Sequence, residues 1–214
     1  MKDRALDQFE RWAATYDRSM LHRFLFRPAY RVTMEEIANW HAEHPGPFRV
    51  LDVGCGTGEL ALILARSDWP VEVIGLDYAL AMAKHAHAKA QRTDLGQKAK
   101  FLIGDSEFLP FAEACFDFVA CANSFHHYPN QASVVSLMRK LLKPGGRFLL
   151  IDGCRDSALG FVIFDIIIPR VEGKVYHAPA SVIAKYFRDA GFAGIRSRRF
   201  NFWMPLLATI GEKA

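Results

Sequence analysis

The sequence predicts a single α/β domain with a mostly parallel sheet covered by helices on both faces. Three observations lead there. Short apolar runs alternate with helically spaced segments from Phe48 to Asp152, and the first run ends in the glycine cluster Gly54, Gly56 and Gly58. The 214 residues are 51% hydrophobic and 23% charged, enough to bury a full core without disulfides or metals. Strands alternating with helices imply right-handed crossovers, and continuous apolar runs suit strands buried on both faces.

The elements follow in order. Leu6, Phe9, Trp12, Ala13 and Tyr16 recur at helical spacing, and a second helix runs from near Pro28 to about His41. Pro45-Gly46-Pro47 breaks the pattern. Strands are expected at Phe48 to Val53, Val71 to Leu76, Lys100 to Ile103, Phe116 to Ala122 and Arg147 to Asp152. Between them, helices are expected over Glu59 to Arg66, Leu80 to Arg92 and Ala132 to Leu142, the last stopped by Pro144-Gly145-Gly146. A late helix over Pro179 to Ala190 precedes two closing strands, Phe192 to Phe202 and Leu206 to Ile210, read as a hairpin. The organisation is a helical cap at 1–47, a core at 48–152, an insert at 153–178 and a closing region at 179–214.

The net charge of +4 is mildly basic, and the densest basic run is Arg196, Arg198 and Arg199. On a strand these side chains split between two faces, so a solvated edge is expected and no nucleic-acid partner. Cys55, Cys115, Cys121 and Cys154 form no C-x-x-C pair, and the charged start Met1 to Phe9 lacks a signal peptide's apolar centre. Reduced thiols in a cytoplasmic protein are expected. The most apolar stretch, Ala158 to Ile168, is interrupted by Asp165 and ends at Pro169. It falls short of the roughly 20 residues of a membrane span.

The segment Val50-Leu51-Asp52-Val53-Gly54-Cys55-Gly56-Thr57-Gly58-Glu59 carries the most chemistry. A buried strand enters glycines and then a helix, and ligands of open α/β sheets bind at the carboxyl ends of the strands. The spacing is G-x-G-x-G, not the dinucleotide G-x-G-x-x-G. Asp52 and Glu59 on its flanks would repel a pyrophosphate and favour a ligand bearing an ammonium group. Asp77, 19 residues beyond Gly58, ends the second strand where a carboxylate can hold ribose hydroxyls, and Tyr78 beside it can lie against a base. Gly104-Asp105-Ser106 closes the third strand, where Asp105 and Ser106 either serve an adenine edge or cap a turn.

Asp52 to Gly58, Gly75-Leu76-Asp77, Gly104 to Phe111, Phe116-Asp117-Phe118-Val119 and Leu141 to Gly146 stand in that order. Together they resemble the class I S-adenosylmethionine-dependent methyltransferases, in particular the small-molecule subgroup of ubiquinone and menaquinone biosynthesis. The resemblance covers about residues 48–152. It implies a Rossmann-like seven-stranded, three-layer α/β/α fold whose last strand is antiparallel. It also implies S-adenosylmethionine as cofactor and S-adenosylhomocysteine as product. By the same resemblance, Asp52, Gly54, Cys55, Gly56 and Gly58 surround the methionine part, with Asn123 at its amino-acid end. Asp77 holds ribose, Asp105 and Ser106 hold adenine, and Tyr78 and Met82 lie near that ring. Phe9 to Asp17 resembles the subgroup's helical lid, with Tyr16 closing over the cofactor. The chain departs from the subgroup at Tyr78-Ala79, where a serine commonly follows the aromatic position.

Methyl transfer from a sulfonium requires alignment, and a base only where the acceptor must lose a proton. His126 and His127, just past the fourth strand, are the candidates for that base, with Tyr128 and His177 behind them. Asp152 ends the fifth strand, but the sequence offers it no second set of metal ligands, so no metal is expected. The absence of an Asn-Pro-Pro-Tyr segment tells against nucleobase amines. Phe161, Val162, Ile163, Phe164, Ile166, Ile167 and Ile168 in the insert suggest core packing first, then a pocket for an apolar acceptor or a homodimer contact. The reading is methyl transfer to a small, apolar or aromatic acceptor. Its rivals are a catalytically silent S-adenosylmethionine-binding regulator, a methyltransferase of RNA or protein, and a nicotinamide oxidoreductase, which the glycine spacing opposes.

Overall fold

The structure is a computed structural model that describes residues 22–214. The expected lid over Phe9 to Asp17, with Tyr16, lies outside the described residues. A π-helical turn, His22–Phe26, leads into α1, Arg27–Glu43. Pro28 sits in its first turn, where the missing N–H costs nothing. Ala29, Val32, Thr33, Glu36, Ile37 and Trp40 form its buried stripe at three- and four-residue spacing. The Trp40 indole donates to the Gly145 carbonyl at 3.0 Å, fastening the helix across the sheet.

Seven strands make one sheet: β1 Phe48–Val53, β2 Val71–Asp77, β3 Ala99–Ile103, β4 Phe116–Ala122, β5 Leu142–Gly153, β6 Ala193–Phe200 and β7 Leu206–Glu212. Their order is β3-β2-β1-β4-β5-β7-β6. The pairs β1–β2, β2–β3, β1–β4 and β4–β5 are parallel, while β7 runs antiparallel to both β5 and β6. The expected seven-stranded sheet with an antiparallel last strand is what forms. The chain steps outward from β1 to β3, then returns to lay β4 against β1's other side. The strand order therefore reverses between β1 and β4, which opens a crevice at their carboxyl ends.

Side chains alternate between two cores, one on each face. Phe48 and Val50 of β1 pack with Trp40, Ile37 and α2 (Glu59–Ala65). Leu51 and Val53 pack with Val134 and Met138 of α4 (Gln131–Leu141) and with Phe187 of α7 (Ala180–Asp189). On that face Phe148 and Phe187 stack with ring centroids 5.1 Å apart. Helix α3, Leu80–Arg92, covers the edge beside β3.

Two expectations differ from the structure. β5 starts at Leu142, five residues early, because Leu142 already pairs with Phe116, and the ladder shifts register before Arg147 meets Phe118. The Pro-Gly-Gly run thus lies inside the strand instead of before it. The insert is not core either: Phe164 is buried, while Phe161, Val162, Ile166 and Ile167 are exposed. It folds as α5 (Ala158–Phe161), a π-helical stretch (Val162–Ile167) and α6 (Ile168–Glu172). Ser157 caps α5 by accepting from the Gly160 N–H at 3.0 Å. The basic run lies on the exposed edge strand β6, as expected. There Arg196 pairs with Glu36, Arg198 with Glu35 and Arg199 with Asp156. Among the described residues no helix is long and apolar enough to cross a membrane.

Candidate functional site

The crevice has two rims. The first is the loop between β1 and α2. Gly54 turns the chain at φ +71°, and a Cβ there would stand 2.3 Å from Ser124 Oγ, so only glycine fits on both counts. Gly56, at φ +54°, has nothing within 4 Å of its would-be Cβ, which leaves room for a ligand against its backbone. Gly58, at φ +77°, has no room for a side chain, since a Cβ would stand 2.6 Å from Phe101 and 2.8 Å from Ala86, and Cys55 is a buried thiol whose pKa burial pushes well up. Ser124 locks the rim from across the crevice, donating to the Val53 carbonyl at 3.1 Å while its Oγ lies 3.0 Å from the Tyr128 hydroxyl.

The strand ends supply the charges. Asp77 accepts from the N–H groups of Gly56 and Ala79, each at 2.8 Å. Asp52 is 3% exposed, and its Oδ2 has no hydrogen-bond partner among the described residues. Burial, reinforced by the Asp77 carboxylate, raises its pKa to about 7. Asn123, at the end of β4, is held at φ +56°, and its buried Nδ2 is likewise without a partner among the described residues. An unsatisfied acceptor and an unsatisfied donor, both buried, thus sit at the ends of the two strands between which the order reverses. Such groups are costly without a ligand. They complement the ammonium and carboxylate of an amino acid. Glu59 is engaged by Lys89, so the negative field of this rim comes from Asp52 and Asp77.

At the ends of the paired strands β2 and β3, Tyr78 and Ile103 are exposed, with Phe108 a few residues on. They form an open apolar ledge. Ser106 is buried and Asp105 accepts from the Glu107 N–H at 3.0 Å, so a turn-building role for Asp105 is visible. Met82 is 2% exposed, on the buried face of α3.

The second rim is built from side chains. Phe125–His127 forms a single 3-10 turn just beyond Asn123. Asp152, at the end of neighbouring β5, accepts from the His126 backbone N–H at 2.7 Å and binds the His126 ring at Nδ1, also at 2.7 Å. The ring's Nε2 stands 3.3 Å from Glu172 Oε2, and His127 Nε2 stands 3.5 Å from the same oxygen. The His177 ring stacks on His126 at 4.5 Å. Two main-chain links hold this side: the Tyr176 N–H donates to the His126 carbonyl at 2.7 Å, and Arg155 bridges Asp165 and the His177 carbonyl.

Burial works against a charged His126, yet the Asp152 and Glu172 carboxylates together outweigh it and lift the pKa to about 10. Burial and the neighbouring His126 hold His127 near 3 and His177 near 4. Asp152, despite burial, is held at about 2 by His126. The Tyr128 hydroxyl, raised by burial and committed to Ser124, serves as a strut.

Residues 50–146 match the methyltransferase domain family. The demethylmenaquinone methyltransferase of Lactiplantibacillus plantarum is 28% identical over 174 residues, 72% of this chain and 73% of that protein. That of Bacillus cytotoxicus is 26% identical over 94% of this chain and 92% of that protein. These matches support a class I S-adenosylmethionine-dependent methyltransferase. The methyltransferase shares its fold with the YcgJ protein of Bacillus subtilis, at a TM-score of 0.72 and 21% identity over 87% of this chain and 98% of that one. It fits the [4+2]-cyclase SpnF as well, at 0.71 and 20% identity over 86% and 81%. At that identity the likeness is one of fold alone.

Of the residues singled out in the sequence of the methyltransferase, Asp52, Gly54, Gly56, Asp77 and Asn123 converge on one crevice, with Tyr78, Asp105 and Ser106 at its β2–β3 end. Cys55, Gly58 and Met82 are absorbed by packing. Ser124 and Glu172 were missed. A serine after a strand carries no signal of its own, and Glu172 lies 45 residues beyond His127. The expectation that Asp152 lacks companions is overturned: His126, Asp152 and His177 form one group with ligand-like spacing, and His126, His127 and Glu172 a second.

Proposed function

We propose that the methyltransferase transfers the methyl group of S-adenosylmethionine to a small, apolar or aromatic acceptor of the quinol or phenol class. The observation that carries the cofactor half is the pair of unpartnered buried atoms, Asp52 Oδ2 and Asn123 Nδ2, at the crevice. Asp52 would receive the ammonium and Asn123 the carboxylate, with the Gly56 backbone alongside. Asp77 would turn to the ribose, and Asp105 with Ser106 to the adenine lying on the Tyr78 ledge. S-adenosylmethionine supplies a methyl group already activated on a sulfonium, so the protein's task is to align, enclose and exclude water.

The acceptor would sit beneath α5–α6, with exposed Phe161, Val162 and Ile166 offering apolar cover above the histidine rim. The demethylmenaquinone relatives support that class by their names. His126 has both ring nitrogens faced by carboxylates, so it positions the rim, and His127 is the residue nearer the acceptor.

Calorimetric titration with S-adenosylmethionine and S-adenosylhomocysteine, beside Asp77→Ala, tests the cofactor half. Micromolar-range binding lost in the variant is expected; no binding by folded protein would sink it. A panel of quinols and phenols, read by S-adenosylhomocysteine release, tests the acceptor half. The unpartnered Asp52 and Asn123 atoms would equally serve one other reading, a protein that holds the cofactor without transferring its methyl group. Tight cofactor binding with no turnover across all acceptor classes would favour that reading.

A further inference from the structure

We propose that His126, His127 and Glu172 form a divalent-metal site of the zinc class, with Asp152 orienting His126 from behind and one coordination position open to the acceptor. The spacing is the first argument. Glu172 Oε2 lies 3.3 Å from His126 Nε2 and 3.5 Å from His127 Nε2. Ligands about 2.0–2.1 Å from zinc at tetrahedral corners stand about 3.3–3.4 Å apart. The ligand atoms of all three residues lie within 4.8 Å of one another.

The second argument is what those contacts are not. Glu172 Oε2 is buried and makes no hydrogen bond among the described residues, although two imidazole nitrogens lie beside it. Three groups are thus gathered at co-ligand distance, held by ion-pair-range contacts in place of hydrogen bonds.

The third is tautomer control. Asp152 Oδ1 engages His126 Nδ1 at 2.7 Å, and its Oδ2 takes the His126 backbone N–H. The ring is thereby fixed with Nε2 turned to Glu172. A carboxylate behind a ligating histidine is the usual outer support of a metal site. The direction of Glu172 is fixed too. It ends α6, and Gly173 follows at φ +82°, ψ −139°, a conformation that glycine alone adopts readily.

Two imidazoles and one carboxylate suit zinc, and suit ferrous iron next. Three protein ligands leave a fourth position for water or an acceptor oxygen. The site itself stands without the acceptor reading; only its use, holding and acidifying an acceptor hydroxyl, rests on it.

The test uses tag-free full-length protein, stripped with chelator and shown folded by circular dichroism. Zinc chloride is titrated by calorimetry without S-adenosylmethionine, and cobalt(II) is added to a second sample for its visible absorption. One equivalent of zinc per chain and a tetrahedral cobalt spectrum are expected. Glu172→Gln and His127→Gln should each weaken zinc at least 100-fold and abolish the spectrum, while Asp152→Asn should weaken it about 10- to 100-fold. S-adenosylmethionine affinity should stay within about twofold in Glu172→Gln. No stoichiometric zinc and no tetrahedral cobalt spectrum with folded wild type would overturn the site, as would equal zinc affinity in wild type and both ligand variants. Neither result touches the cofactor reading, which the separate S-adenosylmethionine titration decides.

Discussion

The two rims of the crevice are built in opposite ways. The β1 rim is main chain: glycines at positive φ, an Asp77 carboxylate holding backbone N–H groups, and Asp52 a few residues before the turn. The β4–β5 rim is side chain, with His126, His127, Asp152, Glu172 and His177 drawn from three elements and a loop. A ligand shared by a whole family can be met by backbone, which a local motif encodes. An acceptor that varies calls for side chains that can be exchanged without disturbing the fold.

If that contrast holds, the largest effect comes from Gly54→Ala. The new methyl would meet Ser124 Oγ at a φ that alanine resists, so calorimetry should show S-adenosylmethionine affinity reduced more than 100-fold, while zinc uptake survives. A variant that keeps cofactor affinity would break the backbone account of the first rim.

Phe164→Ala and Phe161→Ala split the insert. Phe164 is 3% exposed and packs on Gly153 and His177, so its loss should cost about 3 kcal/mol in denaturant unfolding. Phe161 is 48% exposed; its loss should leave stability within about 0.5 kcal/mol and raise the KM for an apolar acceptor several-fold. An unchanged KM would remove α5 from the acceptor site.

Asp52→Asn should weaken S-adenosylmethionine about 10- to 100-fold yet raise the Tm of the ligand-free protein. The sign follows from the pKa. The Asp52 carboxyl titrates at about 7 in the fold, well above the ordinary carboxylate value it has when unfolded, so the folded state favours its protonated form. That contribution is full below the lower value and is lost as pH rises through the higher one. Asp77 and Cys55 beside it, and Cys121 across the crevice, add no cation to reverse this. Binding an ammonium needs the carboxylate. Below pH 7 cofactor affinity should therefore fall by up to about tenfold per unit, with proton release on binding that Asp52→Asn abolishes. A flat profile would place the ammonium elsewhere.

The smallest effect is expected from Ser124→Ala. It removes the strut to the Val53 carbonyl and should cost about 1 kcal/mol in unfolding, with a few-fold loss of cofactor affinity. No change in either would mean that the loop holds its shape without help from β4.

The same contrast explains what the sequence could disclose. The sheet was legible because its strands are continuous apolar runs between glycines, and the β1 rim because its residues are contiguous. β5 began early because pairing with β4 overrode the helix-stopping Pro144-Gly145-Gly146, which local spacing cannot report. The apolar insert read as core because hydrophobicity alone does not say which side of a helix finds a neighbour. The histidines of the second rim were legible beside the fourth strand, but Glu172 stayed hidden because it reaches His127 only after a whole helical segment has folded back, an arrangement that no spacing rule covers.

The π-helical stretch Val162–Ile167 has one more consequence. It carries an extra residue within the turn, so α5 and α6 are out of phase, with Phe164 turned inward and Glu172 brought round to the histidines. Substitutions that let the same residues wind as an ordinary α-helix would swing everything beyond them by about 100°. Glu172 would then leave His126 and His127 although no residue of the rim had changed. The winding of the segment, more than any one of its side chains, thus sets where the carboxylate of the rim falls.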